Sequence, residues 1–143
     1  MTLPTILALD IGERKMGTAV GSTESGLARP AAVWRHSTRA GDAEQIRQLA
    51  RQTGATLLLA GLPLNPDGSP SAQAERIRRY AEGLAAEVGL PLLFWNEAYS
   101  SQDAQARLLA DSHSRKRRRQ QEDAVAAAII LQAYLDSLAR GES

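Results

Sequence analysis

Two periodicities alternate along the chain. Thr5–Ile11 (TILALDI) is a short apolar run, β-branched at both ends, that closes on Asp10 and is followed by Gly12. Residues 16–21 repeat the pattern after a tight turn, so the pair reads as a β-hairpin. Residues 31–35, entered through Pro30, read as a third strand. Between 42 and 51 the period lengthens: Ile46, Leu49 and Ala50 fall at helical spacing, with Asp42 as N-cap and Gly54 as the stop. Residues 57–60 are wholly apolar, the signature of a strand buried on both faces. A breaker-rich loop at 61–70 (GLPLNPDGSP) leads to Ser71, which caps a helix. That helix carries Ile77, Tyr80, Ala81, Leu84, Ala85 and Val88 on one side, with Gly89 just beyond its end. Residues 91–95 form a fifth strand that runs out at Asn96 and Glu97. Ser100 or Ser101 caps a further helix to about Ala110. After a polar, basic stretch, residues 122–138 form a last helix, apolar on nearly every side through Ile130, as expected of a helix buried against a sheet.

The resulting order, β-β-β-α-β-α-β-α-α, predicts an α/β fold: a mixed five-stranded sheet flanked by helices. With 143 residues and no internal repeat or linker, one domain spanning 1–143 is expected. The chain is 43% hydrophobic, enough for a core, and contains no cysteine. Disulfides, thiolate zinc sites and cysteine nucleophiles are therefore excluded. The N-terminus has no basic region followed by a long apolar run, and the longest apolar stretch, 124–131, is far short of a membrane span. A soluble cytoplasmic protein with no membrane partner is expected. The net charge of +1 says little, but residues 115–119 place five cations in a row: Arg115, Lys116, Arg117, Arg118 and Arg119.

Three acids stand out by position. Asp10 ends the first strand, Glu97 lies just past the fifth, and Asp123 lies in the first turn of the last helix. In an open sheet, ligands gather at the carboxyl ends of parallel strands, where Asp10 and Glu97 can both project and a helix leaning over the edge can add Asp123. Clustered carboxylates repel one another, and a hard divalent cation relieves that repulsion. Taken singly, each acid has an ordinary explanation as turn former or helix N-terminal residue. The cation run suits phosphate contacts, although most charge runs are solvated loops. Arg14 and Lys15 in the first hairpin can reach a phosphate or simply cap an exposed turn. Tyr99 can stack on a base; Trp95 fits core packing better. Asn65 and Asp67 either fix the 61–70 loop or touch substrate. That loop lacks the ending of a nucleotide-binding P-loop. His36 and His113 have no metal-ligand spacing.

The segments Asp10-Ile11-Gly12, Gly17-Thr18-Ala19-Val20-Gly21, Gly61-Leu62-Pro63-Leu64-Asn65 with Asp67-Gly68, Asn96-Glu97-Ala98-Tyr99-Ser100-Ser101, and Asp123 leading into 126–131 are collinear with one known pattern. Over essentially its whole length the chain resembles the YqgF (RuvX) family, the Gly-Leu-Pro-Leu-Asn-x-Asp-Gly segment being the most specific part. Members are described as Holliday-junction resolvases and as nucleases that mature the precursor of small-subunit ribosomal RNA. The resemblance implies a ribonuclease-H-like fold and a metal-dependent nuclease, with Asp10, Glu97 and Asp123 as catalytic and metal-binding acids holding Mg²⁺ or Mn²⁺, two ions in all. It also implies a nucleic-acid substrate, structured RNA or branched DNA, and an association with ribosomal precursor particles; the candidate contacts to that substrate, read from the residues themselves, are Arg14, Lys15, Asn65, Tyr99 and 115–119. A junction resolvase would need two active sites and hence a homodimer. Two departures are visible. Family members commonly read Asp-Glu-Arg where this chain has Asn96-Glu97-Ala98, and many carry a lysine shortly before the last acid, where Gln120 and Gln121 stand here. A nucleic-acid-binding maturation factor with weak catalysis is one rival reading. An actin-like ATPase is another, but such proteins clasp a nucleotide between two domains of this kind.

Overall fold

The computed structural model describes residues 4–99 and 122–141. Five strands form one sheet in the order β3-β2-β1-β4-β5: β1 Thr5–Ile11, β2 Lys15–Ser22, β3 Ala28–Arg35, β4 Ala55–Leu62 and β5 Leu92–Asn96. β2 is antiparallel to β1 and β3, whereas β4 runs parallel to both β1 and β5. The carboxyl ends of β1, β3, β4 and β5 thus share one edge. The helices are α1 Arg39–Thr53, α2 Ala72–Val88 and α3 Glu122–Ala139. α1 and α2 cover one face of the sheet, and α3 crosses the other over β1, β2 and β3. The expected fold class is the one observed; the helix expected from Ser100 or Ser101 and the 115–119 cations lie outside the described residues.

Strand alternation divides the core in two. On β1, Ile6 and Ala8 face α3, where they meet Ala127, Ala128 and Leu131; Leu7 and Leu9 face the other way, onto Ala43, Ile46 and Leu84. All ten of these side chains are at most 1% exposed. A strand buried on both faces needs apolar residues at every position, which is why β1 and β4 read as unbroken apolar runs. Among the described residues no helix is long and apolar enough to cross a membrane.

Several boundaries differ from those expected. β3 begins three residues earlier than the sequence suggested, with Pro30 inside it. A proline lacking its N–H is tolerated there because β3 is an edge strand. The register shifts between Gly17 and Ala19, and the buried Thr18 hydroxyl donates to the Ala32 carbonyl at 2.7 Å and accepts from its N–H at 2.8 Å. Helix α1 also begins earlier, and its N-cap is Thr38, whose hydroxyl accepts the Gly41 N–H at 2.9 Å. Asp42, read above as that cap, is instead buried inside the first turn. Ser71 caps α2 as expected, accepting from the Ala74 N–H at 3.0 Å.

Helix α3 is pinned by one buried amide. Gln132 Oε1 accepts the Ala28 N–H at 2.9 Å, and its Nε2 donates to the Gly26 carbonyl at 2.9 Å and to Asp136 Oδ1 at 3.0 Å. Gln132→Ala strands the buried Ala28 N–H. It is expected to cost about 1–3 kcal/mol, read as a lowered midpoint in urea unfolding with an unchanged slope.

Candidate active site

The parity that buries Ile6 and Ala8 under α3 puts Asp10, the next even position, on the same face at the carboxyl end of β1. In β4 the same face carries Leu57, Leu59 and then Gly61; in β5 it carries Trp95, with Glu97 two residues beyond. These positions meet. Asp10 and Glu97 line one cleft of about 240 Å³, closed by Ala126, Ile129 and Ile130 of α3. Two acids 87 positions apart are brought together because both strands are parallel and end at one edge.

Local chemistry sets Glu97 in place. The Asn96 side-chain oxygen accepts the Ala98 N–H at 3.0 Å, which bends the chain into a short 3-10 turn, Glu97–Tyr99, directly after β5. The side chain of Glu97 then folds back over β4. A Cβ built on Gly61 would stand 3.1 Å from both Cγ and Oε1 of Glu97 and 2.6 Å from Cδ1 of Ile130. Gly61 is therefore the floor that lets the carboxylate and helix α3 approach the sheet together. Burial raises the Glu97 pKa above its ordinary value, and the neighbouring charge of Asp10 adds to the rise.

Asp123 lies in the first turn of α3, three residues before Ala126 and seven before Ile130, the spacing of one helical face. Its side chain, like that of Tyr99, lies outside the described residues. Arg14 and Lys15 are exposed at the β1–β2 turn and line a second groove with Asp10, Gly12 and Glu13. Asn65 and Asp67 build a turn. Asn65 Nδ2 donates to Ser69 Oγ at 3.0 Å, and Asp67 Oδ1 accepts from both the N–H and the hydroxyl of Ser69. The Ser69 hydroxyl, followed by its N–H, holds the Asp67 carboxyl below its usual range. The turn closes on Gly68, whose φ of +86° explains the Asp-Gly pair.

Sequence reasoning missed two features. One is Gly61, whose need arises only when β4, β5 and α3 are assembled. The other is a hub on the opposite sheet face. Asp42 is 1% exposed and accepts from Trp34 Nε1 at 2.8 Å and from the Tyr80 hydroxyl; its Oδ2 lies 2.7 Å from His36 Nδ1. His36 Nε2 lies 2.8 Å from the carbonyl oxygen of Gly12, two residues after Asp10. Burial first, and then the Asp42 hydrogen bond, push the Tyr80 phenol well above its usual pKa. No local signal marks these residues, because they come from β3, α1 and α2.

A sheet of this order, with an acid on the central strand and another beyond a late parallel strand, defines the ribonuclease-H-like class. The chain is similar to Thermus thermophilus RuvC solved in complex with a Holliday junction substrate, with a TM-score of 0.56 and 13% identity over 93% of this chain and 95% of that one. A family model described as "RuvX: Holliday junction resolvase" matches residues 4–137. Among curated relatives, a protein of Moorella thermoacetica is 40% identical over 135 residues, covering 94% of this chain and 96% of its own length. One from Anaeromyxobacter sp. is 39% identical over 130 residues, covering 91% and 95%. Both carry the name "Putative pre-16S rRNA nuclease". The chain belongs to the RuvX family.

The raised pKa of Glu97 has a consequence for stability. The folded chain binds this proton more tightly than the unfolded chain does, so in chelator its stability falls as pH rises from about 4.5 through the higher folded value. Glu97→Gln and Asp10→Asn should each flatten that decline, seen as melting temperatures that converge with wild type at acid pH and exceed it near neutrality.

Proposed function

We propose that the protein is a metal-dependent nuclease that hydrolyses nucleic-acid phosphodiesters in the cytoplasm, acting in maturation of the 5′ end of pre-16S rRNA. The observation that carries this reading is the shared cleft of Asp10 and Glu97 under the first turns of α3. The names of the curated relatives support the ribosomal substrate. In this reading residues 1–143 make one nuclease domain.

The donor set fits hard divalent cations. Asp10 and Glu97 are half-buried oxygen ligands of the hard kind that Mg²⁺ and Mn²⁺ accept, and a cation there would offset the burial and the Asp10 charge that raise the Glu97 pKa. Asp10 and Glu97 would hold the metal from the sheet, and Asp123 would complete the set from α3. When bound, the ions would supply an activated water and a Lewis acid for the leaving oxygen. The residues of the chain do the positioning. Gly61 keeps Glu97 close to the sheet, Asn96 sets the turn that presents it, and α3 roofs the cleft with Ala126, Ile129 and Ile130. Arg14 and Lys15 stand beside Asp10 to hold the backbone of the substrate strand. In this reading Tyr99, Asn65 and 115–119 add contacts to the same strand, with ribosomal precursor particles as the partner.

Cleavage of a four-way DNA junction is the second reading. It is favoured by the description of the family and by the likeness to RuvC, and it calls for a homodimer. A side-by-side assay in Mg²⁺ or Mn²⁺ with single-stranded RNA, a ribosomal precursor fragment and a DNA junction separates the two. Preferential cleavage of the precursor fragment is expected; preferential cleavage of the junction by a dimer overturns the RNA assignment. Asp10→Asn, Glu97→Gln and Asp123→Asn should each lower cleavage by about 100-fold or more while leaving the fold intact. If all three cleave at the wild-type rate, the metal site is elsewhere.

Gly61→Ala makes a finer test of the same site. The added methyl must displace the Ile130 terminus and move Glu97 by a few tenths of an ångström. Cleavage is expected to fall about tenfold or more, mainly in kcat, because small misplacements of a catalytic group are costly.

A further inference from the structure

On the other side of the β1–β2 turn lies a cleft of about 360 Å³ that the acids do not touch. It is bounded by Ile11, Gly12 and Glu13 of that turn, by His36 after β3, and by Gln73, Arg76, Ile77 and Tyr80 of α2. We infer that this cleft is a second subsite that takes one unpaired nucleotide of the substrate strand, adjoining the scissile phosphate. The inference rests on the nuclease reading above.

Three observations carry it. The first is continuity. Gly12 and Glu13 line both this cleft and the groove that holds Asp10, Arg14 and Lys15. A strand lying at Asp10 therefore reaches the cleft by crossing a single exposed turn. Gly12 is two residues past Asp10, at most ~7 Å of chain. Both are lined by Gly12 and Glu13, which follow β1 at the carboxyl edge of the sheet.

The second is the chemistry of the walls. Ile11 and Ile77 are apolar and half-buried, and the Tyr80 and His36 rings meet edge to face with centroids 6.0 Å apart. Size and apolar character match sites for small organic groups. Aromatic and imidazole rings beside aliphatic walls suit an unstacked base. Arg76 and Gln73 are exposed on the first turns of α2, where a guanidinium and an amide can meet the phosphate and sugar of that nucleotide. Glu13 supplies an acceptor for a base amino group.

The third is rigidity. Tyr80 donates to Asp42, and His36 is bridged between Asp42 and the Gly12 carbonyl. Both rings are thereby held before any ligand arrives, so little side-chain freedom is lost on binding. The same bridge ties the occupied cleft to the main chain that follows Asp10.

The experiment walks a single abasic position along a cleavable oligonucleotide. Wild type should lose cleavage about tenfold or more when the abasic site reaches one particular position beside the cut. Gln73→Trp plugs the cleft from an exposed helix position, and Arg76→Ala removes the phosphate contact. Each should raise KM about tenfold on the intact oligonucleotide, and the plugged variant should show no positional penalty. Equal melting temperatures for the three proteins confirm folding. A parallel anisotropy titration in the Asp10→Asn background should show the same positional loss of affinity, and its disappearance in Gln73→Trp. No positional penalty in wild type, or a penalty that survives in Gln73→Trp, overturns the subsite. Positional binding loss in a protein that never cleaves would retain the subsite and sink the nuclease reading.

Discussion

The close approach of helix α3 to the sheet is the constraint on which the rest of the structure depends. Along the crossing, small residues interleave with the larger Ile6, Leu59, Ile130 and Leu131: Ala8 and Ala19 on the strands, Ala127 and Ala128 on the helix. Where the sheet offers no Cβ the fit is tightest. A Cβ at Gly61 would collide with Ile130 at 2.6 Å, and one at Gly21 would meet the Leu27 carbonyl and Ala28 Cα first, at 2.6 and 3.1 Å, and then the Leu131 Cδ2 at 3.2 Å. Each glycine weakens its strand in isolation, and the packed helix returns that loss as buried apolar contact. Since α3 also roofs the acidic cleft, helix height and cleft depth are set by the same atoms.

The two faces of the sheet divide the work at one edge. On the α3 face sit the acids, whose mutual repulsion is tolerated because they lie at the rim rather than in the core. On the α1/α2 face, the buried carboxylate of Asp42 is satisfied by groups from β3 and α2 and poses no such conflict. One carboxylate is held by fixed groups and serves as a joint; the other two line a cleft at the rim of the sheet. The difference lies in what surrounds each group.

Much of this was legible in the sequence, for identifiable reasons. Strands buried on both faces announce themselves as unbroken apolar runs, so β1 and β4 were placed well. Ser71 and Gly89 are local start and stop signals, and α2 has the span they delimit. Asp10 and Glu97 could be paired in advance because both end strands of one parallel system. What escaped depends on assembly. Asp42 looked like a cap because it opens an apolar period; Thr38 had the better geometry, and tertiary partners claimed the acid. Pro30 masked the start of β3, since nothing local tells an edge strand from a central one. The need for glycine at 61 is created by a side chain 36 residues later and a helix later still.

The turn made by Asn96 bears on the two departures from the family pattern beside Glu97. An amide oxygen accepts the Ala98 N–H as a carboxylate would, so the bend survives the exchange of acid for amide. Where relatives commonly place an acid before and a base after the central glutamate, this chain has two neutral residues, and both tripeptides carry one net negative charge. The replacements thus cancel electrostatically at long range. What is surrendered is a guanidinium fork, and with it directional grip; the net charge at the rim is left as it was.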